Sequence, residues 1–294
     1  MTSWVWMKGV DLAIADPIEP VTSDDDRPAV KDLIEEHREW IDEIKAGITE
    51  DPLFDPTKHD DLWILRFFLS HKKTKKAIEA AKHTLAFREK HNLDAKDIRM
   101  ERPEKIKEGK VYEYWHHRCQ GDAILTAIPD KKRGVVTFIQ FAKMRPNAIK
   151  ILDEETWDWA FIYLSEWTHQ WVDYVTRTTG RLTKSIRFID LKGISLVKHF
   201  DRASSKRDGK IMGEMEDCYP QLLESIFPFN APDWMHLIWE FMRPIMPKRI
   251  IEKIDIISPD KNKTEKRRLY RHITKKKLPD FLGGRNAVPV EQWS

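Results

Sequence analysis

Apolar positions along the chain fall into two successive regimes. From residue 28 to about 110 they recur at helical spacing. Pro28 opens a run to about Lys45 in which Val30, Leu33, Ile34, His37, Ile41 and Ile44 share one side and carboxylates fill the other. That is the pattern of an amphipathic helix with proline in its first turn, and Gly47 predicts its end. A second helix, from near Lys58, takes its spacing from Leu62, Leu65, Arg66 and Leu69 and stops at Ser70-His71-Lys72-Lys73. A third starts at Thr74, the expected N-cap, and carries Ile78, Ala81, Leu85 and Phe87 to about His91. Residues 28–110 therefore read as an all-helical subdomain. Residues 1–27, with Trp4, Trp6 and the acidic run ending Asp24-Asp-Asp26, read as an extended arm before it.

From Tyr112 the period changes. Ala123 to Ile128 and Val135 to Phe141 are strand-like runs flanking the polar turn Pro129 to Gly134. Glu154 to about Arg177 is a long helix on which Trp157, Phe161, Leu164, Thr168, Trp171 and Tyr174 recur. Lys184 to Leu191 is a strand that alternates: Ser185, Arg187 and Ile189 point one way, and Ile186, Phe188 and Asp190 the other. A helix from about Phe200 to Asp217 follows, then a strand from Ser225 halted by Asn230-Ala231-Pro232. Trp234, Leu237, Ile238, Phe241 and Met242 form the apolar face of the next helix, which Pro244 ends, and Lys253 to Ile257 is again β-branched. Strand, amphipathic helix and strand make a crossover unit, so the sheet is expected to be mainly parallel. The predicted class is an α/β body, residues 111–285, with the helical subdomain attached at its N-terminal side, one more helix over Lys261 to Lys276, and a tail at 286–294.

Two features of this pattern bear on function. The helix from Trp234 leaves only His236, Glu240 and Arg243 polar, so large side chains point away from the sheet as well as toward it. Such an outward face is met either by a neighbouring domain or, in a mobile flap, by lipid. Arg187 sits on the central strand. If its face is covered, the guanidinium needs an anion or other acceptors; if its face is wet, it is ordinary.

Composition narrows the classes. Two cysteines, Cys119 and Cys218, give neither a disulfide framework nor a thiolate cluster and fit a reducing compartment. No run approaches the ~18 to 20 apolar residues that span a bilayer, and the N-terminal stretch turns acidic too soon for a secretory signal. The net charge of +3 is small, but basic residues crowd the C-terminal end from Lys261 to Lys277, a pattern that attracts phosphates or is simply a solvated face. Nucleic acid is disfavoured as a partner because that segment lacks the exposed aromatic platform on which bases stack. No nucleophile elbow, phosphate loop or dinucleotide fingerprint is present, and His116, His117 and Cys119, read as a strand, point to different faces, so no enzyme, catalytic residue, metal or cofactor is expected.

Four blocks, in order, resemble CRAL-TRIO lipid-binding domains. Leu65-Arg66-Phe67-Phe68-Leu69 with Lys72 and Ala77 looks like that family's N-terminal helix pair. Ile189 to Ser195 resembles its central strand and turn, Tyr219-Pro220 with Phe229-Asn230-Ala231-Pro232 its next motif, and Leu278-Pro279 with Gly283-Gly284 its closing one. The resemblance implies a mainly parallel sheet enclosing an apolar pocket for one lipid, and a gate helix, about 234–246, that swings at a membrane. It implies a lipid-binding and transfer protein, cytoplasmic and peripherally membrane-associated, with a bound lipid as its ligand. The alternative is a lipid-sensing adaptor that recruits a protein partner through its N-terminal region. The expected ligand-contacting set is Lys72, Ser185, Arg187, Ile189, Gln221, Phe227, Phe229, Trp234, Leu237, Ile238, Phe241, Met242 and Lys253. Among the family's inositide-binding positions Lys72 and Lys253 match, whereas His71, Gln221 and Ile250 depart. The polar pair on the central strand keeps Ser185 but has Arg187 as its second member, which makes an anionic headgroup or a carboxylate-bearing ligand a competing expectation to an inositide.

Overall fold

The structure is a computed structural model that describes residues 21–255 apart from positions 24, 122, 128–133, 245 and 247. The side chains of Leu196, Leu237, Ile238, Phe241 and Met242 also lie outside the described residues. So do most of the expected arm, the turn centred on residues 129–133, the strand beyond 255, the Lys261 to Lys276 helix, the closing motif and the tail.

The N-terminal part is helical, with α1 (Val30–Glu36), α2 (Arg38–Ile48), α3 (Asp61–His71) and α4 (Thr74–Lys90). The expected single helix from Pro28 is two. His37 leaves helical geometry at φ −112°, and its ring packs against Trp40 and Phe68 at centroid distances of 5.5 and 5.1 Å. Gly47 is no stop, because α2 continues to Ile48. A Cβ at that position would meet Ile78 Cδ1 at 2.5 Å, so the glycine lets α2 approach α4 closely. Thr74 is the first residue of α4, not its cap, and its hydroxyl donates to Glu43 at 2.7 Å. α3 is capped by Asp60, whose carboxylate accepts from Trp63 N at 3.1 Å. Ile41, Ile44, Ile48, Ile64, Leu65 and Phe67 form its buried core, which reaches Leu182 near the sheet.

A helix that the sequence reading missed comes next: α5, Gly109–Arg118. Val111, Tyr114, Trp115 and Arg118 are its buried positions, at i, i+3, i+4 and i+7, a helical stripe masked by its β-favouring aromatics. His116 and His117 thus lie on a helix, not a strand.

Among the described residues the sheet runs in the order β1 (Ile124–Ala127), β2 (Val136–Gln140), β3 (Ser185–Asp190), β4 (Leu223–Phe229). β1 and β2 are antiparallel, while β2, β3 and β4 are parallel. The connections between parallel strands carry α6 (Glu154–Thr179), then α7 (Leu196–His199) and α8 (Arg202–Cys218). After β4 come α9 (Met235–Met242) and α10 (Lys248–Ile251), and Ile254 bridges Ile226 in parallel, so the anticipated crossover is present. Asp153 and Asp201 cap α6 and α8, accepting from Thr156 N at 2.7 Å and Ser204 N at 2.8 Å. Gly180, at φ 66°, ends α6 in the left-handed conformation that glycine adopts without strain.

One sheet face carries a stacked ladder of Phe138, Phe188 and Phe227, with ring centroids 5.6 and 5.5 Å apart. The opposite face holds Ile124, Ile139, Arg187, Ile189, Ile226 and Pro228, and looks toward α5, α6 and α8.

Candidate functional site

Between that second face and the helices lies a cavity of about 220 Å³. Its floor is Ile139, Arg187, Ile189, Ile226 and Pro228. Tyr114 and Trp115 of α5 and Phe161, Leu164 and Ser165 of α6 form one wall. Met212 of α8 and Phe200 close another, while Met235 and Trp239 of α9 bring that helix to the cavity with Met246 and Ile254 beside it. The sheet's two-residue period puts isoleucines inward on all four strands, and α6 supplies Phe161, Leu164 and Ser165 at i, i+3 and i+4. The result is an almost wholly apolar enclosure that suits a hydrophobic ligand.

Two polar centres interrupt it. Arg118 pairs with Asp208 at 3.4 Å, beneath the Trp157 ring at 5.1 Å, and Asp208 also accepts from Trp157 Nε1 at 3.0 Å. Burial raises the Asp208 carboxyl, with Arg118 pulling the other way. The second centre is Arg187. It has no hydrogen-bond or ion-pair partner among the described residues, and it borders both the cavity and a small recess of about 30 Å³ that Glu216 also lines. Burial lowers the guanidinium's basicity, and Glu216 acts against that from a distance.

The expected ligand residues divide between places. Arg187 and Ile189 line the cavity. Ser185 shares their face, but its hydroxyl is buried and donates to Leu222 O at 2.8 Å. Phe227 and Phe229, expected in the wall, are on the other side of the sheet, and Ile226 and Pro228 take the inward positions; the strand register decides this. Trp234 packs with Leu191, Ile194 and Ala231 just before α9, outside the lining. For Leu237, Ile238, Phe241 and Met242 only the helical backbone is described, and the inward side chains that are described on α9 are Met235 and Trp239. Lys72, Gln221 and Lys253 lie away from the cavity. Gln221 donates to Ser70 Oγ at 3.0 Å, and Lys253 pairs with Glu216. Lys72 and Lys253 share a neighbourhood with Lys184. Its ammonium is held below the ordinary lysine range by burial first, and then by Lys253, Arg66 and Lys72 against the opposing pull of Glu224. The wall residues Tyr114, Trp115, Phe161 and Leu164 were not anticipated as ligand contacts; the i, i+3 and i+4 stripes of α5 and α6 carried the signal.

Several motif residues have structural work. Asn230, at φ 53°, donates from Nδ2 to Asp190 Oδ1 at 2.9 Å and ties the ends of β3 and β4 together. Arg66 is buried and pairs with Asp173 of α6 at 3.1 Å. Tyr219 donates to Glu166 at 3.0 Å, and Arg88 grips that carboxylate with two bonds of 3.0 and 3.2 Å. Burial drives Glu166 up, but Arg88, helped by a hydrogen bond from Gln170, outweighs it and holds the carboxyl low. Away from the cavity His83 Nε2, a Glu214 oxygen and Cys218 Sγ lie within 4.8 Å of one another; His83 bonds to Glu214 at 2.9 Å, and burial raises the Cys218 thiol. Cys119, the other buried thiol, is pushed up to about 12 and faces Met144 Sδ at 3.7 Å.

The CRAL/TRIO domain model matches residues 121–284, more than half of the chain, and includes all four strands, β1 to β4. The chain belongs to the CRAL/TRIO family. As a CRAL/TRIO protein it falls in a family of lipid-binding domains. It is similar to the CRAL-TRIO domain-containing protein T23G5.2 of Caenorhabditis elegans, with 29% identity over 96 residues, 33% of this chain and 13% of that protein. It is also similar to the phosphatidylinositol/phosphatidylcholine transfer protein SFH12 of Arabidopsis thaliana, with 26% identity over 103 residues, 35% of this chain and 18% of that one. These matches thus span under a fifth of either relative. The crystal structure of Sfh5 superimposes with a TM-score of 0.58 over 93% of each chain at 15% identity, which establishes likeness of fold. Among the described residues no helix is long and apolar enough to cross a membrane.

Proposed function

We propose that this CRAL/TRIO chain holds one hydrophobic ligand in the cavity above β2, β3 and β4 and exchanges it at membranes by movement of α9. The observation that supports this reading is the largely apolar cavity bordered by a short helix, with Met235 and Trp239 as that helix's described lining side chains. The segment from Asn230 to Ile254 suits a gate. It starts at a left-handed residue, Asn230, followed by Ala231-Pro232, and runs through Pro244. Its far end is fastened to α8 by two ion pairs, Arg249 to Asp217 and Lys253 to Glu216. The Arg249 pair is partly exposed, worth only about 0 to 1 kcal/mol, and can open and reform readily, whereas Glu216 in the other pair is buried. The basic neighbourhood of Lys72, Lys184 and Lys253, outside the cavity, suits contact with an anionic membrane surface. The printed name of SFH12, a phosphatidylinositol/phosphatidylcholine transfer protein, supports phospholipid as the ligand class. Burial of an acyl chain in the cavity recovers about 0.8 kcal/mol per CH₂, which offsets the like cost of leaving the bilayer, so exchange needs no chemistry.

The test is native mass spectrometry of the purified chain together with transfer of labelled lipid between vesicles. One copurifying hydrophobic molecule per chain and measurable transfer are expected, both lost in Ile189→Trp, which fills the cavity floor. An empty protein that transfers nothing, or an Ile189→Trp variant that transfers normally, refutes the reading.

A further inference from the structure

Arg187 poses a problem of charge that the described residues leave open. A guanidinium stays protonated in any protein setting, so burial cannot be relieved by loss of its proton. A buried cation without an acceptor costs several kcal/mol. Among the described residues the acidic groups near it bond elsewhere: Asp208 with Arg118 and Trp157, and Glu216, which attracts Arg187 without bonding to it, with Lys253. Register partners Thr137 and Ile226 offer no charge. The arginine stands on the central strand with Ile189 beyond it and Ser165 facing it across the cavity. No described carboxylate bonds to Arg187, so a bonded counter-charge can come from a ligand in the cavity.

Size limits what that is. The volume of about 220 Å³ falls below the roughly 300 to 1,000 Å³ that encloses drug-sized ligands. A two-chain phospholipid is larger than such ligands, so the cavity takes one chain with α9 where it stands.

Building on the proposed lipid binding, we infer that the resident ligand is a single-chain amphiphile bound head inward, with its carboxylate against Arg187 and its hydrocarbon along Ile139, Phe161, Leu164 and Trp239. A carboxylate meets the planar fork of a guanidinium with two parallel hydrogen bonds, a geometry that neither an alcohol nor an amide reproduces. Such a head would neutralise the arginine, and the tail would occupy the apolar remainder, with its end toward α9.

The experiment compares two probes of equal chain length, hexadecanoic acid and hexadecanol, titrated into the delipidated full chain by displacement of a fluorescent fatty acid. A charge-assisted bond contributes about 1.5 to 3 kcal/mol, which converts to roughly a 10- to 150-fold preference for the acid. Arg187→Met is expected to bring acid and alcohol within about threefold of each other, and Arg187→Lys to keep part of the preference. Because Arg187→Met removes an unpaired buried charge, the ligand-free variant should melt no lower than the parent. Equal binding of the two probes to the parent, or a preference that survives in Arg187→Met, overturns the inference. A 1-palmitoyl lysophosphatidate arm distinguishes a phosphate head from a carboxylate: tighter binding of the phosphate overturns the assignment of a carboxylate. Binding of diacyl phosphatidylcholine with neither single-chain probe overturns the inference but leaves the lipid-binding reading standing, and failure of every lipid removes both.

Discussion

The pair formed by Arg66 and Asp173 joins the helical subdomain to α6, and its two halves should respond to mutation very unequally. Arg66 Nη2 donates to Asp173 at 3.1 Å and reaches Thr176 Oγ1 at 3.5 Å, while its Nε and Nη1 are buried with no acceptor. Asp173 has a second cation, Arg177, whose Nε bonds to it at 2.7 Å and which also holds Asp60 at 2.7 and 3.2 Å. In Arg66→Met, Asp173 keeps Arg177. The lost bond, about 1 kcal/mol, is offset by removal of two unsatisfied N–H groups that cost on the order of 1 to 3 kcal/mol, so stability should stay within about 1 kcal/mol of the parent. In Asp173→Ala, Arg177 keeps Asp60, but Arg66 is stranded in the interior, and the loss should be about 3 to 5 kcal/mol. The double variant should recover most of that loss, giving a coupling of at least ~2 kcal/mol in a double-mutant cycle. Urea unfolding followed by tryptophan fluorescence measures all four species. If Asp173→Ala costs no more than Arg66→Met, or if the double variant is as unstable as Asp173→Ala, the reasoning about stranded charge is wrong.

Three further predictions use the same folded chain. Burial holds His169 neutral, pulling it down to about 4 although Glu166 and Asp173 oppose this. The unfolded chain protonates it near 6.5, so its share of stability is complete above that pH and is lost as pH falls toward 4, on the order of 2 to 3 kcal/mol; His169→Phe should flatten that limb of the stability profile, and an unchanged slope would exclude His169 as its source. Gly47→Ala should lose about 1 to 3 kcal/mol by thermal melting, because overpacking against Ile78 exceeds the gain in helix propensity of about 1 kcal/mol; a rise in Tm would show that Ile78 yields. Ser185→Ala should cost about 1 kcal/mol and leave lipid preference unaltered, since its hydroxyl is spent on Leu222 O; a changed lipid profile in the transfer assay would return Ser185 to the ligand site.

What could be read without coordinates was whatever depends on short-range periodicity. The 3.6-residue stripe of α6, the alternation of Ser185, Arg187 and Ile189, and the strand, helix and strand run from Ser225 all carry their geometry in neighbouring positions, because each backbone form has its own repeat. Helix α5 escaped because Tyr114 and Trp115 favour strands in isolation, while their burial against α6 is a tertiary matter. The direction of each stripe was likewise beyond local pattern. Phe227 and Ile226 are both large and apolar, and only pairing with β3 decides that the isoleucine looks into the cavity and the phenylalanine into the ladder. The sequence alone thus determined that this chain builds a parallel sheet with an arginine on its central strand. Tertiary structure alone decided that the arginine faces an apolar space and that the described carboxylates near it bond to other cations, because accounting for charge requires knowing what lies across the gap.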